Sequence, residues 1–105
     1  MAGHEMTQET LGGVAVVRVK GKFDREAGAS VEEALATGEG GCVLNMEQVT
    51  YISSTGVAAL VKLTSTRGLQ IASPSDCVTD VLSLAGVTKI LSIHPDEAAA
   101  RAACG

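Results

Sequence analysis

The chain has 105 residues, of which 46% are hydrophobic and 12 are glycine; this composition excludes a disordered segment and predicts one domain over residues 1–105. The 12 acidic and 8 basic residues leave a net charge of −4 without a cluster of Lys and Arg, and aromatic residues make up only 2%. Binding to nucleic acid through phosphate contacts or base stacking is therefore not expected.

The cysteines and the N-terminus bear on localisation. Cys42, Cys77 and Cys104 are odd in number and have no CxxC spacing, so neither a disulfide framework nor metal ligation is expected. Reduced thiols fit a cytoplasmic protein, with Cys42 and Cys77 as small core residues and Cys104 in an exposed tail. Residues 1–10 lack the apolar segment of a signal peptide, and no apolar run reaches transmembrane length.

The first predicted elements form a hairpin. Residues 1–4 are expected to be loose, and the weak alternation of residues 5–10 favours an edge strand. Gly12 and Gly13 favour a tight turn. The β-branched run over residues 14–19 is typical of a central strand.

A helix is predicted next. Asp24 is placed to cap its N-terminus, and residues 38–41, which include three glycines, are expected to end it. The helical period is kept by Ala27, Val31, Ala34 and Leu35. The apolar run over residues 42–46 then suits a strand with both faces covered, and polar residues at 45, 47 and 48 are expected to break it.

Two further strand–helix units are predicted in the second half. One helix runs from about residue 55 to residue 67 and ends at Gly68, followed by a strand over residues 69–72. Ser75 or Asp76 caps the next helix, which ends at Gly86. Its buried stripe is predicted to be Val78, Val81, Leu82 and Ala85. A last strand over residues 90–93 and a short helix over residues 95–103 complete the chain.

This order of elements, β-β-α-β-α-β-α-β-α, predicts an α/β fold. Helical crossovers require mostly parallel strands, and the opening hairpin makes the first strand antiparallel to the second. We therefore predict a mixed, mostly parallel sheet flanked by about four helices.

Three consecutive hydroxyl residues, Ser53, Ser54 and Thr55, precede the second helix, and Gly56 and Val57 follow them. One explanation is capping, in which a hydroxyl accepts a hydrogen bond from a free amide of the first turn, typically worth about 1 kcal/mol. One cap needs only one hydroxyl. The other explanation is phosphorylation, because a phosphate at a helix start meets amide donors and the positive end of the helix dipole.

The segment Asn45-Met46-Glu47, followed by Tyr51-Ile52-Ser53-Ser54-Thr55-Gly56, resembles the signature of the STAS domain, and specifically of the anti-sigma factor antagonists. Ser54 matches the phosphorylated serine, with Ser53 and Thr55 as alternatives. Many members have Asp where this chain has Ser53. Residues 21–24 also match a Gly-x-Leu/Phe-Asp step, and residues 84–90 resemble the family's last helix–strand link.

The resemblance implies the STAS fold and a partner-switching regulator without enzymatic activity, cofactor or metal. Its implied partners are a serine kinase of the ATP-binding anti-sigma type and a metal-dependent serine phosphatase. The residues expected to contact the partner are Asp24, Ser53, Ser54, Thr55, Gly56 and Val57.

Two other functions stay open. STAS subunits also serve as fixed partners, in stress-sensing scaffolds or on the ATPase of a lipid-transport complex, and some have been proposed to bind nucleotide at the same helix start. The lack of a Lys and Arg cluster argues against nucleotide binding. His4 and His94 are expected to be surface residues, and the chain has no phosphate-binding glycine motif and no nucleophile elbow.

Overall fold

The computed structural model describes residues 3–36, 38 and 40–104. Five strands and four helices are found there, in the predicted order. They are β1 (His4–Leu11), β2 (Val14–Phe23), α1 (Arg25–Leu35), β3 (Cys42–Ile52), α2 (Ser54–Arg67), β4 (Gln70–Ala72), α3 (Asp76–Ala85), β5 (Ser92–His94) and α4 (Glu97–Ala103). The predicted looseness of residues 1–4 and the predicted helix stop at 38–41 lie partly outside the described residues.

The strands form one sheet in the order β1-β2-β3-β4-β5. β1 is antiparallel to β2, and the other neighbours are parallel, so the predicted mixed sheet is confirmed. Gly12 and Gly13, with φ of 58° and 80°, form the hairpin turn that requires two left-handed residues. None of the helices in the described ranges is long and apolar enough to cross a membrane.

The bounds of all five strands differ from the prediction: each changed end of β1 and β4 differs by one residue, and β2 continues to Phe23 instead of ending at residue 19. β3 does not break at its polar residues but continues to Ile52, because its pairing with β2 resumes after a register shift and reaches Phe23. β5 begins at Ser92 rather than residue 90, because Ile93 pairs with Ile71 while Ile90 is 59% exposed. Polar side chains are tolerated in β3 since they lie on the more open face of the sheet.

Helices α1, α2 and α3 cover one face of the sheet, which we call the helical face. Its core is aliphatic except for Phe23, as the composition predicts. Gly28 of α1 lies so close to α2 that an added side-chain carbon would come within 2.9 Å of the Cβ of Ala59. In α3 the predicted stripe is wrong at Ala85, which is exposed because the helix ends there at Gly86.

The opposite face, which we call the α4 face, has a small apolar cluster of Val16, Val43, Ala72 and Ala100. Beside it Arg18 donates two hydrogen bonds to Glu97 of α4, at 2.7 and 2.8 Å, and Asn45 donates a third at 2.6 Å. The hydrogen bonds from Arg18 are the main cause that lowers the pKa of the Glu97 carboxyl. The sequence pattern gave no sign of this network, because its residues are far apart in the chain.

The cysteines only partly match their predicted places. Cys42 is buried, and burial raises the pKa of its thiol. Cys77 is half-buried and donates to the carbonyl oxygen of Thr50, so its prediction as a core residue is wrong. Cys104 is not in an exposed tail but packs against Gly41 and the α4-face cluster, and burial raises the pKa of its thiol too.

Both histidines are half-buried rather than fully at the surface. The Nε2 atom of His94 lies 2.7 Å from the side-chain oxygen of Gln70 on the neighbouring strand. His4 lies at the start of β1 opposite Gly21 of β2. Both histidines thus lie within paired strands, whereas the sequence predicted surface residues.

Candidate functional site

The candidate site lies where β2 and β3 end at the same edge of the sheet. These strands are parallel neighbours, so the turns that follow them come together, and each leads directly into a helix. The amide of Ser53 donates to the carbonyl oxygen of Phe23 at 3.1 Å, which ties the second turn to the first. The starts of α1 and α2 therefore share one surface.

Both helix starts are capped by side chains. The Asp24 carboxylate accepts from the amide of Ala27 at 3.1 Å, as the sequence predicts. The Ser53 hydroxyl accepts from the amide of Gly56, also at 3.1 Å. Since Ser53 is the cap, α2 begins at Ser54, one residue earlier than predicted.

The three hydroxyls, which we call the hydroxyl triad, are not equivalent. The Ser53 and Thr55 oxygens lie 2.9 Å apart in a hydrogen bond, and Ser53 is half-buried. Ser54 is exposed, and its hydroxyl forms no hydrogen bond with any residue in the described ranges. The structure therefore separates a capping serine from an exposed one, a distinction that the sequence left open.

Gly56 and Val57 lie beneath this surface. A side-chain carbon on Gly56 would overlap the carbonyl oxygen of Phe23, so only glycine lets the two turns approach this closely. Val57 is 8% exposed and packs in the core of the helical face. In the free chain they shape the surface from below, and their direct contact with a partner stays a prediction.

An open cavity of about 710 Å³ lies beside the triad. Ser53 and Thr55 line it together with Asp24, and Tyr51, which is 51% exposed, adds an aromatic ring. Its further lining residues are Lys22, Arg25, Glu26 and Ala29. The sequence analysis missed Tyr51 and the two bases as site residues, although their positions next to the ends of β2 and β3 were a usable signal.

Lys22 and Arg25 bear on the sequence argument against nucleotide binding. They are not a run of bases in the sequence, but the fold brings both to the cavity that Ser53 and Thr55 line. Asp24 and Glu26 line the same cavity, so two carboxylates balance the charges of the two bases, and the expectation against nucleotide binding is not overturned. Within the described ranges, no group of three or more His, Cys, Asp or Glu residues is arranged to hold a metal ion.

Comparison with known families identifies the fold. The model of the STAS domain matches residues 5–100. The chain therefore belongs to the STAS domain family. A comparison with curated protein sequences found no match.

Solved structures with the same fold come from several contexts. An anti-sigma factor antagonist from Mycobacterium paratuberculosis is similar with a TM-score of 0.84 and 19% identity, over 96% of this chain and 93% of that one. The anti-sigma factor antagonist SpoIIAA in its unphosphorylated form has a TM-score of 0.70 and 20% identity, over 90% and 92%. A sulfate transporter family protein from Wolinella succinogenes has a TM-score of 0.74 and 20% identity, over 91% and 88%. At these identities the likeness shows the fold.

Proposed function

We propose that this protein is a regulator of the anti-sigma factor antagonist type, without enzymatic activity, that binds a serine kinase and is switched by phosphorylation of Ser54. One observation carries the proposal: within the described ranges, Ser54 alone of the hydroxyl triad is exposed with no hydrogen bond at its hydroxyl. An SpoIIAA structure of similar fold describes a phosphorylated form, which supports the same chemistry.

The position of Ser54 favours phosphorylation. It is the first residue of α2, where the phosphate would meet amide hydrogens of the first turn and the positive end of the helix dipole. No acidic residue lies in that first turn to repel it. The unmodified hydroxyl is open to solvent, so a kinase reaches it without unfolding the helix.

The switch follows from the charge that is added. A phosphate carries roughly −1.5 to −2 charges and must lose water wherever a partner covers Ser54. The partner-facing surface in this proposal comprises Ser54, Ser53, Thr55 and Asp24, with Gly56 and Val57 beneath them. A loss of about 3 kcal/mol of binding free energy would weaken the complex over a hundredfold and release the kinase. A metal-dependent serine phosphatase then restores the binding form.

Phosphorylation is tested directly. The protein is incubated with ATP and each candidate anti-sigma-type serine kinase of the source organism, and the products are analysed by intact mass and peptide mass spectrometry. We expect one phosphate on Ser54 and none on Ser54→Ala. Ser65→Ala, which removes an exposed serine of the same helix, is the matched control and should be modified like the wild type. Modification elsewhere, or none with any kinase, contradicts the proposal.

A fixed scaffold subunit is the second candidate, favoured by the occurrence of the fold in the Wolinella sulfate transporter family protein. The affinities of Ser54→Asp and Ser54→Ala for the kinase distinguish the switch from the scaffold. A switch predicts that the aspartate weakens binding by tenfold or more while the alanine preserves it; a scaffold predicts similar effects of both. Ser65→Asp controls for the added charge.

Nucleotide binding is the third candidate, favoured by the two bases at the cavity. Titration calorimetry with ATP and with GTP tests it on the protein alone. Under the switch proposal we expect no saturable heat. Saturable binding that Lys22→Ala and Arg25→Ala each abolish would instead favour a nucleotide site.

A further inference from the structure

We infer that Thr55 determines which serine is modified: its hydroxyl, paired with that of Ser53, holds Ser53 in the capping role and confines phosphorylation to Ser54. This inference rests on the proposed function and deepens it. Two adjacent serines have the same chemistry, so their surroundings must distinguish them. Besides the cap bond from the Gly56 amide, the Ser53 hydroxyl has one hydrogen bond that Ser54 lacks, the 2.9 Å bond with Thr55.

The hydrogen-bonding capacity of the Ser53 hydroxyl explains the effect. A serine oxygen has one proton to donate and two lone pairs to accept with. One lone pair already accepts from the Gly56 amide. If Ser53 donates to Thr55, its proton is occupied; if Thr55 donates, the second lone pair is occupied. In the first arrangement one lone pair stays free, but the proton must leave its bond to Thr55 before Ser53 can be phosphorylated; in the second, no lone pair is free until a hydrogen bond breaks. Phosphorylation of Ser53 therefore requires a broken hydrogen bond in both arrangements.

Thr55 is restrained by the same bond. Its hydroxyl is paired with that of Ser53, and both residues line the cavity beside the helix start. Ser54 lies between the two partners in sequence, and its hydroxyl takes no part in the bond. The pairing thus occupies the two outer hydroxyls and leaves the middle one to the kinase.

The test compares three proteins that lack the preferred acceptor: Ser54→Ala alone, Ser54→Ala with Thr55→Val, and Ser54→Ala with Thr55→Ser. Valine keeps the shape of threonine but removes the hydroxyl, and serine retains it as a rescue. Each is incubated with ATP and the kinase that modifies the wild type, and the phosphate on Ser53 is quantified by peptide fragmentation. Thermal unfolding verifies that all three are folded.

We expect Ser53 to be modified about fivefold faster in the valine variant than in Ser54→Ala, the factor for one released hydrogen bond of about 1 kcal/mol. The serine variant should return to the slow rate. Equal rates in all three would overturn the inference, because the kinase alone would then select the site. A wild type already modified on Ser53 would overturn it too.

Failure of the proposed function gives a different result. If no kinase modifies the wild-type triad, the proposed function falls and the inference falls with it. If the wild type is modified on Ser54 and the valine substitution leaves Ser53 unchanged, only the role of Thr55 is lost.

Discussion

On the helical face of the sheet, α1, α2 and α3 bury a continuous core that is aliphatic except for Phe23 and includes Leu44 and Leu60. On the α4 face, a helix of seven residues packs its Ala100 against three small or β-branched side chains of the sheet, and Arg18 and Asn45 bind its Glu97. One face depends on buried area, which has no direction. The other face depends on a few hydrogen bonds, which are directional.

The candidate site is held by the helical face. The hydroxyl triad begins α2, and α2 is seated in the large core through Val57 and Leu60. The site is therefore positioned by the stronger of the two faces, while α4 lies on the opposite side. Substitutions in the core of the helical face should therefore disturb both the site and the stability of the fold. Substitutions at α4 should lower the stability and leave the site in place.

The largest expected effect comes from Gly56→Ala. The added carbon overlaps the Phe23 carbonyl and would lie 3.0 Å from the Phe23 ring, so the start of α2 must move away from the end of β2. We expect a loss of about 3 kcal/mol in the free energy of unfolding, measured by urea denaturation. Gly12→Ala is the control: it has open space but φ of +58°, so only about 1 kcal/mol is expected. Equal losses would mean that close packing of the two turns is not the cause.

Leu44→Ala tests the core of the helical face directly. Leu44 is fully buried, and removing its side chain leaves a cavity, so we expect a loss of about 3 kcal/mol or slightly less. Leu84→Ala makes the same chemical change at a residue that is 89% exposed and should alter stability by less than about 0.5 kcal/mol. Chemical denaturation of both variants gives the comparison, and a small loss at Leu44 would contradict the division between the faces.

Glu97→Gln tests the α4 face. We expect it to lower the free energy of unfolding by about 1 kcal/mol near neutral pH; the loss is small because Arg18 is partly exposed and water weakens the ion pair. The pKa of Glu97 is lowered by folding, so its charge stabilises the protein above the ordinary value of 4.5, and this contribution is lost as the pH falls below it. Unfolding measured from pH 7 downwards should therefore show the two proteins converging in acid. Glu9→Gln, which removes the more exposed partner of Arg18, should cost less.

Features of the fold that depend on neighbouring residues could be predicted from the sequence, and those that join distant residues could not. Local patterns predicted the element order, the Asp24 cap and the glycine ends at Gly68 and Gly86, because each depends on residues a few positions apart. The pairing of Arg18 with Glu97 joins residues 79 positions apart and left no periodic signal. Phosphorylation of Ser54 remains a prediction.

The division within the triad illustrates the same limit. Sequence placed three hydroxyls at a helix start, but which one caps the helix depends on where β3 stops. Because β3 continues to Ile52, Ser53 adopts the extended backbone of a cap and Ser54 becomes the first helical residue. If that strand ended one residue later, Ser54 would be the cap and Thr55 the first helical residue. The pairing of β3 therefore places Ser53 at the cap position, which the run of three hydroxyls alone does not specify.

The smallest expected effect concerns the ion pair between Lys62 of α2 and Glu32 of α1, 3.3 Å apart on the surface of the helical face. If buried area holds this face, Lys62→Met should change the free energy of unfolding by only about 0.3 kcal/mol, because the lysine side chain is 65% exposed and screened by water. Glu32→Gln should behave alike, and raising the salt concentration should remove what difference there is. A loss above about 1 kcal/mol in either variant would show that directional pairs hold both faces of the sheet, and the contrast with α4 would then disappear.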